Sequence, residues 1–275
     1  MKIEFRQIEP HPLLRSHIDK MWVFETSGKL PSDDLKLVVP NGAVKLTIFS
    51  VNGITASIDG RDVTSAQGTM NVTGLVDVPV NLDAERDVTT ETIGIEFNPG
   101  SAYRFFDLPL GALHNRIYAL DDLLGKTGKA LQDQVAQAGT VRAKIALVQQ
   151  YLIGRLQQHP GDLIFEYCIS RILDSRGRIP VKELERKTGY SSRWLNMKFM
   201  ERIGTSPKNL SSVIRFSDCY RTLISALKDD RSRHDYYDHY YDQSHFIRNF
   251  KHYTGHLPSA LERKMNEFGR KFYQA

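Results

Sequence analysis

Sliding this chain along itself by 51 residues superposes Tyr190 on Tyr241, Phe199 on Phe250, Gly204 on Gly255, Pro207 on Pro258 and Leu210 on Leu261. Leu195 falls on Phe246 as a conservative match. Each match has the same mechanical meaning in both copies. Ser191 or Asp242 caps a helix, the pairs Leu195/Phe199 and Phe246/Phe250 give that helix a buried stripe at i and i+4, and Gly204 or Gly255 supplies a left-handed stop. Pro207 and Pro258 then start the next segment. The last third of the chain is thus constrained to hold two equivalent helical units.

The first copy is preceded by Ile179 to Gly189, a short helix with Val181 and Leu184 on its inner side and a glycine at its end. Helix, glycine turn and second helix make the pattern in which the second helix enters the major groove of DNA. A projection at about 100° per residue places Leu195, Phe199 and Ile203 on one side of that helix. Arg193, Met197 and Met200 lie opposite, flanked by Trp194 and Asn196. In the second copy the outward set is Ser244, Arg248 and Lys251, flanked by His245 and Ile247. Arginine forks onto guanine, asparagine pairs with adenine, and apolar tips meet a thymine methyl, so both faces suit base reading. Lys198, Arg202, Lys251 and the helix-start residues Ser192 and Gln243 suit phosphate contacts, which position without specifying sequence.

Charge agrees in sign. Residues 1–160 carry 16 Lys/Arg against 18 Asp/Glu, whereas residues 161–275 carry 21 against 14, so the basic surplus sits where the repeat sits. The first residues alternate Lys2, Glu4 and Arg6 with apolar positions and form no signal-peptide core, and no stretch reaches roughly 18 uncharged apolar residues. The expectation is a cytoplasmic protein without membrane contact. Cys168 and Cys219, the two cysteines, form neither a disulfide framework nor a metal or redox motif and are expected as buried thiols.

The first third predicts short strands over Leu35 to Pro40, Ala43 to Ser50, Ile54 to Asp59, Thr69 to Leu75 and Thr92 to Phe97, separated by turn residues such as Asn41-Gly42 and Asn52-Gly53. This is an antiparallel sandwich or barrel. Val141, Ile145, Val148, Leu152 and Leu156 then predict an amphipathic helix, capped by Thr140 and stopped at His159-Pro160-Gly161. A further helix is expected from Asp162 to Ser175. The chain is therefore expected to be α+β, with a β-rich regulatory domain over 1–160 and an all-helical domain with two helix-turn-helix units over 161–275. Trp22, Phe24, Phe49 and Phe97 are the candidate walls of an effector pocket.

Tyr241 to Pro258, with Gly189-Tyr-Ser-Ser-Arg-Trp-Leu through Phe199 and Gly204, resembles the DNA-binding domain of the AraC/XylS family of bacterial transcription regulators. Pro40-Asn-Gly42, Gly94 to Gly100, Tyr103-Arg-Phe-Phe106 and Asp121-Asp-Leu-Leu124 resemble the cupin-like regulatory domain of some members. The resemblance implies a long helix over Pro207 to Leu227 joining the two units, double-stranded DNA as partner, and a small-molecule effector, RNA polymerase and a second copy of the chain as further partners. Two departures stand out. Glu185 occupies a place where the family has a small apolar residue, and in the second unit His234, Asp235 and His239 occupy the equivalents of the inner apolar, small and turn-glycine positions.

Two other classes compete. An interaction protein that has kept the fold and lost operator reading is one. A cupin-type metal enzyme is the other, but residues 1–160 hold only His11, His17, His114 and His159, with no H-x-H pair. His234, Asp235, Asp238 and His239 are better read as a solvated polar face than as a zinc site. With no P-loop, dinucleotide fingerprint or nucleophile motif present, no catalytic residue and no cofactor is expected.

Overall fold

The computed structural model describes residues 2–27, 37–84, 88–229 and 243–260. Among the described residues ten strands open the chain: β1 (Lys2–Ile8), β2 (Ile18–Ser27), β3 (Leu37–Val38), β4 (Lys45–Val51), β5 (Ile54–Ile58), β6 (Arg61–Ser65), β7 (Met70–Thr73), β8 (Val80–Ala84), β9 (Thr90–Phe97) and β10 (Ile117–Ala119). They form a six-stranded sheet, β1-β2-β9-β4-β7-β10, facing a four-stranded sheet, β3-β8-β5-β6. All recorded pairings are antiparallel.

Alternation decides what each face of the large sheet meets. Met21, Val23, Leu46, Ile48, Ile93, Ile95 and Phe97 turn to one side and join a large apolar cluster with the helices. Trp22 and Phe24 turn to the other side and pack with Val38, Ala56, Ile58 and Val80 of the small sheet, closing the sandwich interior. Because both faces are covered, β9 reads as an almost unbroken buried run.

Seven helices follow among the described residues: α1 (Leu120–Gln137), α2 (Val141–Gln158), α3 (Leu163–Asp174), α4 (Val181–Thr188), α5 (Ser192–Arg202), α6 (Pro207–Asp229) and α7 (Gln243–Thr254). The expected Thr140 cap forms, and Asp162 supplies a second one. Thr140 Oγ1 accepts from the Ala143 amide at 3.2 Å, and Asp162 Oδ1 accepts from the Phe165 amide at 3.1 Å. The α1–α2 hairpin lies on the large sheet, tied by the Gln132 side chain accepting from the Met70 amide at 3.0 Å.

The break at residue 160 falls between α2 and α3, yet the apolar core does not divide there. One cluster runs from Leu14, Phe97, Phe105 and Phe106 through Ile145 and Leu152 to Phe165, Leu184, Leu195, Phe199 and Leu210. A separate cluster joins α6 and α7 through Phe216, Tyr220, Leu223, Phe246 and Phe250.

Candidate nucleic-acid interface

Leu184 is fully buried in α4, and the helix ends at Gly189, whose φ of +75° is the left-handed stop the sequence demands. Two residues later Ser191 Oγ accepts from the Trp194 amide at 3.3 Å and starts α5. Glu185 now has a role. Its carboxylate accepts from the Ser192 amide at 2.5 Å and from the Ser192 hydroxyl, closing the first turn of α5 from the helix before it. These two donated hydrogen bonds hold the Glu185 carboxyl below its ordinary value. A carboxylate also suits the positive end of a helix dipole, so the charged residue ties α4 to the start of α5.

The back of α5 is apolar and dry. Leu195 and Phe199 have no exposed surface, and Phe199 meets Phe165 edge-on at 5.0 Å between centroids. Its front shows Arg193, Asn196, Met197 and Met200 to solvent, with Met197 56% exposed. The other three expected contact residues differ. Ser192 is held by Glu185, Trp194 stacks on Tyr190 at 3.9 Å, and the Lys198 ammonium lies 3.6 Å from Asp162, 3.7 Å from Glu201 and 5.6 Å from the Trp194 ring. These three form the flank of α5.

α7 repeats the plan. Phe246 and Phe250 are buried against α6, and Tyr253 packs on Phe216 at 4.6 Å. Gln243, Ser244, Arg248 and Lys251 are exposed, whereas His245 bonds Asn249 at 2.9 Å and Ile247 leans on the core. The Asp242 cap, the residues His234, Asp235, Asp238 and His239, and Leu261 lie outside the described residues.

The first domain grips α5 closely. A Cβ on Gly204 would come within 2.7 Å of the Leu110 carbonyl oxygen, and one on Gly111 within 2.9 Å of that of Met200, so the end of α5 rests backbone to backbone on the turn Leu110–Leu113. Asp77 accepts from the Asn209 side chain at 2.7 Å near the start of α6, and from Asn115 at 2.7 Å, with His114 at 3.2 Å. Burial disfavours the charged form of Asp77, but these partners outweigh it and hold the carboxyl far below its usual range. Arg202 lies 4.9 Å over the Tyr103 ring and 3.7 Å from Asp162.

Two hollows adjoin this assembly. Trp22 and Phe49 line an apolar cavity of about 100 Å³ inside the sandwich. Phe24 sits in the neighbouring apolar packing. Phe97 does not belong with them: strand parity turns it to the opposite face, onto Phe105 at 5.0 Å and Phe106 at 5.8 Å. The larger hollow, about 310 Å³, was not foreseen because its walls come from both halves of the chain. Asp19, Lys20, Lys45 and Glu96 face Arg176 and Arg221 across it. Glu96 is buried and accepts from Trp22 Nε1 at 3.2 Å and Asn41 Nδ2 at 2.7 Å. Burial works against its charge, but Lys45, Lys20 and these donors prevail and lower its pKa, whereas burial and the nearby Glu96 raise that of Asp19.

Among the described residues no cluster of three His, Cys, Asp or Glu is placed to hold a metal ion, and no helix is long and apolar enough to cross a membrane. Both cysteines are buried, and burial raises the thiol pKa of Cys168 to about 11 and of Cys219 to about 12.

A family model described as "Domain of unknown function (DUF6597)" matches residues 6–119. No curated protein matches the chain. Among solved structures, ToxT from Vibrio cholerae is similar at 10% identity, with a TM-score of 0.50 over 90% of this chain and 98% of that one. A structure of ToxT from Vibrio cholerae with bound unsaturated fatty acid shows 12% identity and a TM-score of 0.48, over 94% and 98%. A predicted oxalate decarboxylase from Thermotoga maritima overlaps 34% of this chain and 79% of its own, at 9% identity and a TM-score of 0.28. The first of these shows a shared fold, a β-rich domain followed by an all-helical one.

Proposed function

We propose that the chain is a sequence-specific DNA-binding transcription regulator of the AraC/XylS type, in which α5 and α7 read successive stretches of major groove. The observation that carries this reading is the repeated helix with a dry aromatic back and an open basic front, Arg193 with Asn196 and Met197 on α5, and Arg248 with Lys251 on α7. The likeness in fold to ToxT supports it. Base reading falls to Arg193, Asn196, Met197, Ser244 and Arg248, and phosphate anchoring to Gln243 and Lys251. Half-sites are then direct repeats about one helical turn, ~10 bp, apart. A duplex selected by the chain from a random pool tests this. The expected result is binding at least a thousandfold tighter than to random DNA, with steep salt dependence and two protected grooves per monomer. Equal affinity for selected and random duplexes would identify a protein that has lost operator reading.

The effector belongs in the cleft between the halves in preference to the sandwich interior. The interior cavity of about 100 Å³ falls short of the roughly 300 Å³ at which small-molecule sites begin, and the cleft of about 310 Å³ reaches it. A molecule there touches both halves at once, the condition for differential binding to two arrangements. Replacing Lys20 and Arg221 together by Ala is expected to abolish the effector response while basal DNA binding persists.

A further inference from the structure

β3 consists of two residues paired to β8, Leu37 opposite Asn81 and Val38 opposite Val80, at the edge of the small sheet. Alternation splits this short edge between two cores. Val38 enters the sandwich interior with Trp22, Ala56 and Ile58. Leu37 and Val39, both almost fully buried, turn the other way and complete the cluster of Val213, Phe216, Tyr220, Phe246, Phe250 and Tyr253. The apolar cluster that buries the back of α7 is therefore completed by side chains some two hundred positions earlier in the chain. A second approach lies nearby, since a Cβ on Gly255, just past α7, would sit 3.8 Å from the Pro79 ring.

We infer that Leu37 and Val39 are positioning residues for α7: the edge of the first domain's small sheet sets where the second helix stands relative to the first. Val39 and Tyr220 also line the inter-domain cleft, and Tyr220 reaches Phe250 at 6.2 Å between centroids. A ligand seated in the cleft thus touches two side chains of the cluster that backs α7. α5 has no such dependence on β3, because its back is filled by Phe165 and Leu184 and its end by Leu110. Effector control then acts on the second half-site alone.

The consequence at DNA rests on the regulator reading above; the packing does not. The test uses the full chain with Leu37→Ala, Val39→Ala and, as control on the same strand, Val38→Ala. Amide hydrogen exchange across Phe246 to Tyr253 is expected to accelerate on the order of tenfold or more in the first two variants, with Leu195 and Phe199 unchanged. Val38→Ala is expected to leave α7 untouched. Should Leu37→Ala unfold the chain, the smaller Leu37→Val and Val39→Ala changes carry the measurement. Unchanged exchange in α7, equal acceleration in α5 and α7, or an equal response to Val38→Ala would each overturn the inference. On a duplex selected from a random pool by the unaltered chain, Val39→Ala is expected to bind no better than to the same duplex with its second half-site scrambled. If the unaltered chain selects no duplex, the regulator reading fails, and the exchange measurement still decides the packing.

Discussion

α5 and α7 carry the same pattern and are held by different means. The first shares its core with the large sheet and is clamped by the Asp162 carboxylate, the Tyr103 ring and the Leu110–Leu113 turn. The second has a small core of its own and meets the first domain through Leu37 and Val39. A repeated sequence therefore makes two helices of like pattern that are held by cores of different extent. In the proposed reading the first suits a fixed anchor on DNA, and the second suits adjustment.

Core truncation is the strongest way to break this contrast. Phe199→Ala and Phe250→Ala remove equally buried rings and are each expected to cost about 3–5 kcal/mol locally. Phe199→Ala is expected to lower the unfolding midpoint of the whole chain, measured by denaturant titration with several probes. Phe250→Ala is expected to show mainly as loosening of α6 and α7 in hydrogen exchange. Identical global losses would show one cooperative body and erase the difference. On DNA, Arg193→Ala and Arg248→Ala are each expected to cost about 1–3 kcal/mol on the selected duplex and to relax one base position, in opposite half-sites. Equal loss on random DNA would make either residue a phosphate anchor.

A pH effect sharpens the account of the first unit. The folded pKa of Glu185 is depressed by the donors of Ser192, so its contribution is present above the ordinary carboxylate range and is lost as pH falls through the lowered folded value. The Ser192 amide shift is expected to move with that acid transition and to lose the movement in Glu185→Gln. The smallest effect separates two lysines. Lys251, exposed on α7, is expected to reduce the salt slope of binding by about one unit when changed to Ala. Lys198→Ala is expected to change it less, because its ammonium already faces Asp162 and Glu201. An equal loss from both would put the flank of α5 against phosphate.

The helical half was legible because caps, stops and stripes are local: Thr140, Asp162, Ser191 and Gly189 act within a few residues of their place in sequence. The sheet was half legible. β3, β4, β5, β7 and β9 were expected, but β2 was not, since a strand buried on both faces loses its polar alternation. β1 alternates clearly, and the same residues had served only to argue against a signal peptide. α1 was missed, its apolar positions interrupted by a glycine at φ +54°. The placement of Phe97 with Trp22 turned on the register of β2 against β9, which the sequence does not carry. Trp22 pairs with Gly94, and two positions of equal parity on β9 cannot include residue 97. The cleft and the reach of Leu37 into the second core were illegible in principle, because each joins segments whose proximity only the tertiary fold creates.

The shared core also bears on how the chain is made. The strands and the aromatic run Phe97, Phe105 and Phe106 leave the ribosome well before Phe165, Leu195 and Phe199, which help to cover them. At translation speeds of roughly 5–20 residues per second, a nascent chain carries that greasy surface for on the order of ten seconds before its cover arrives. The first domain is born unfinished, and chaperone occupancy on stalled chains ending shortly after α2 is where that debt becomes visible.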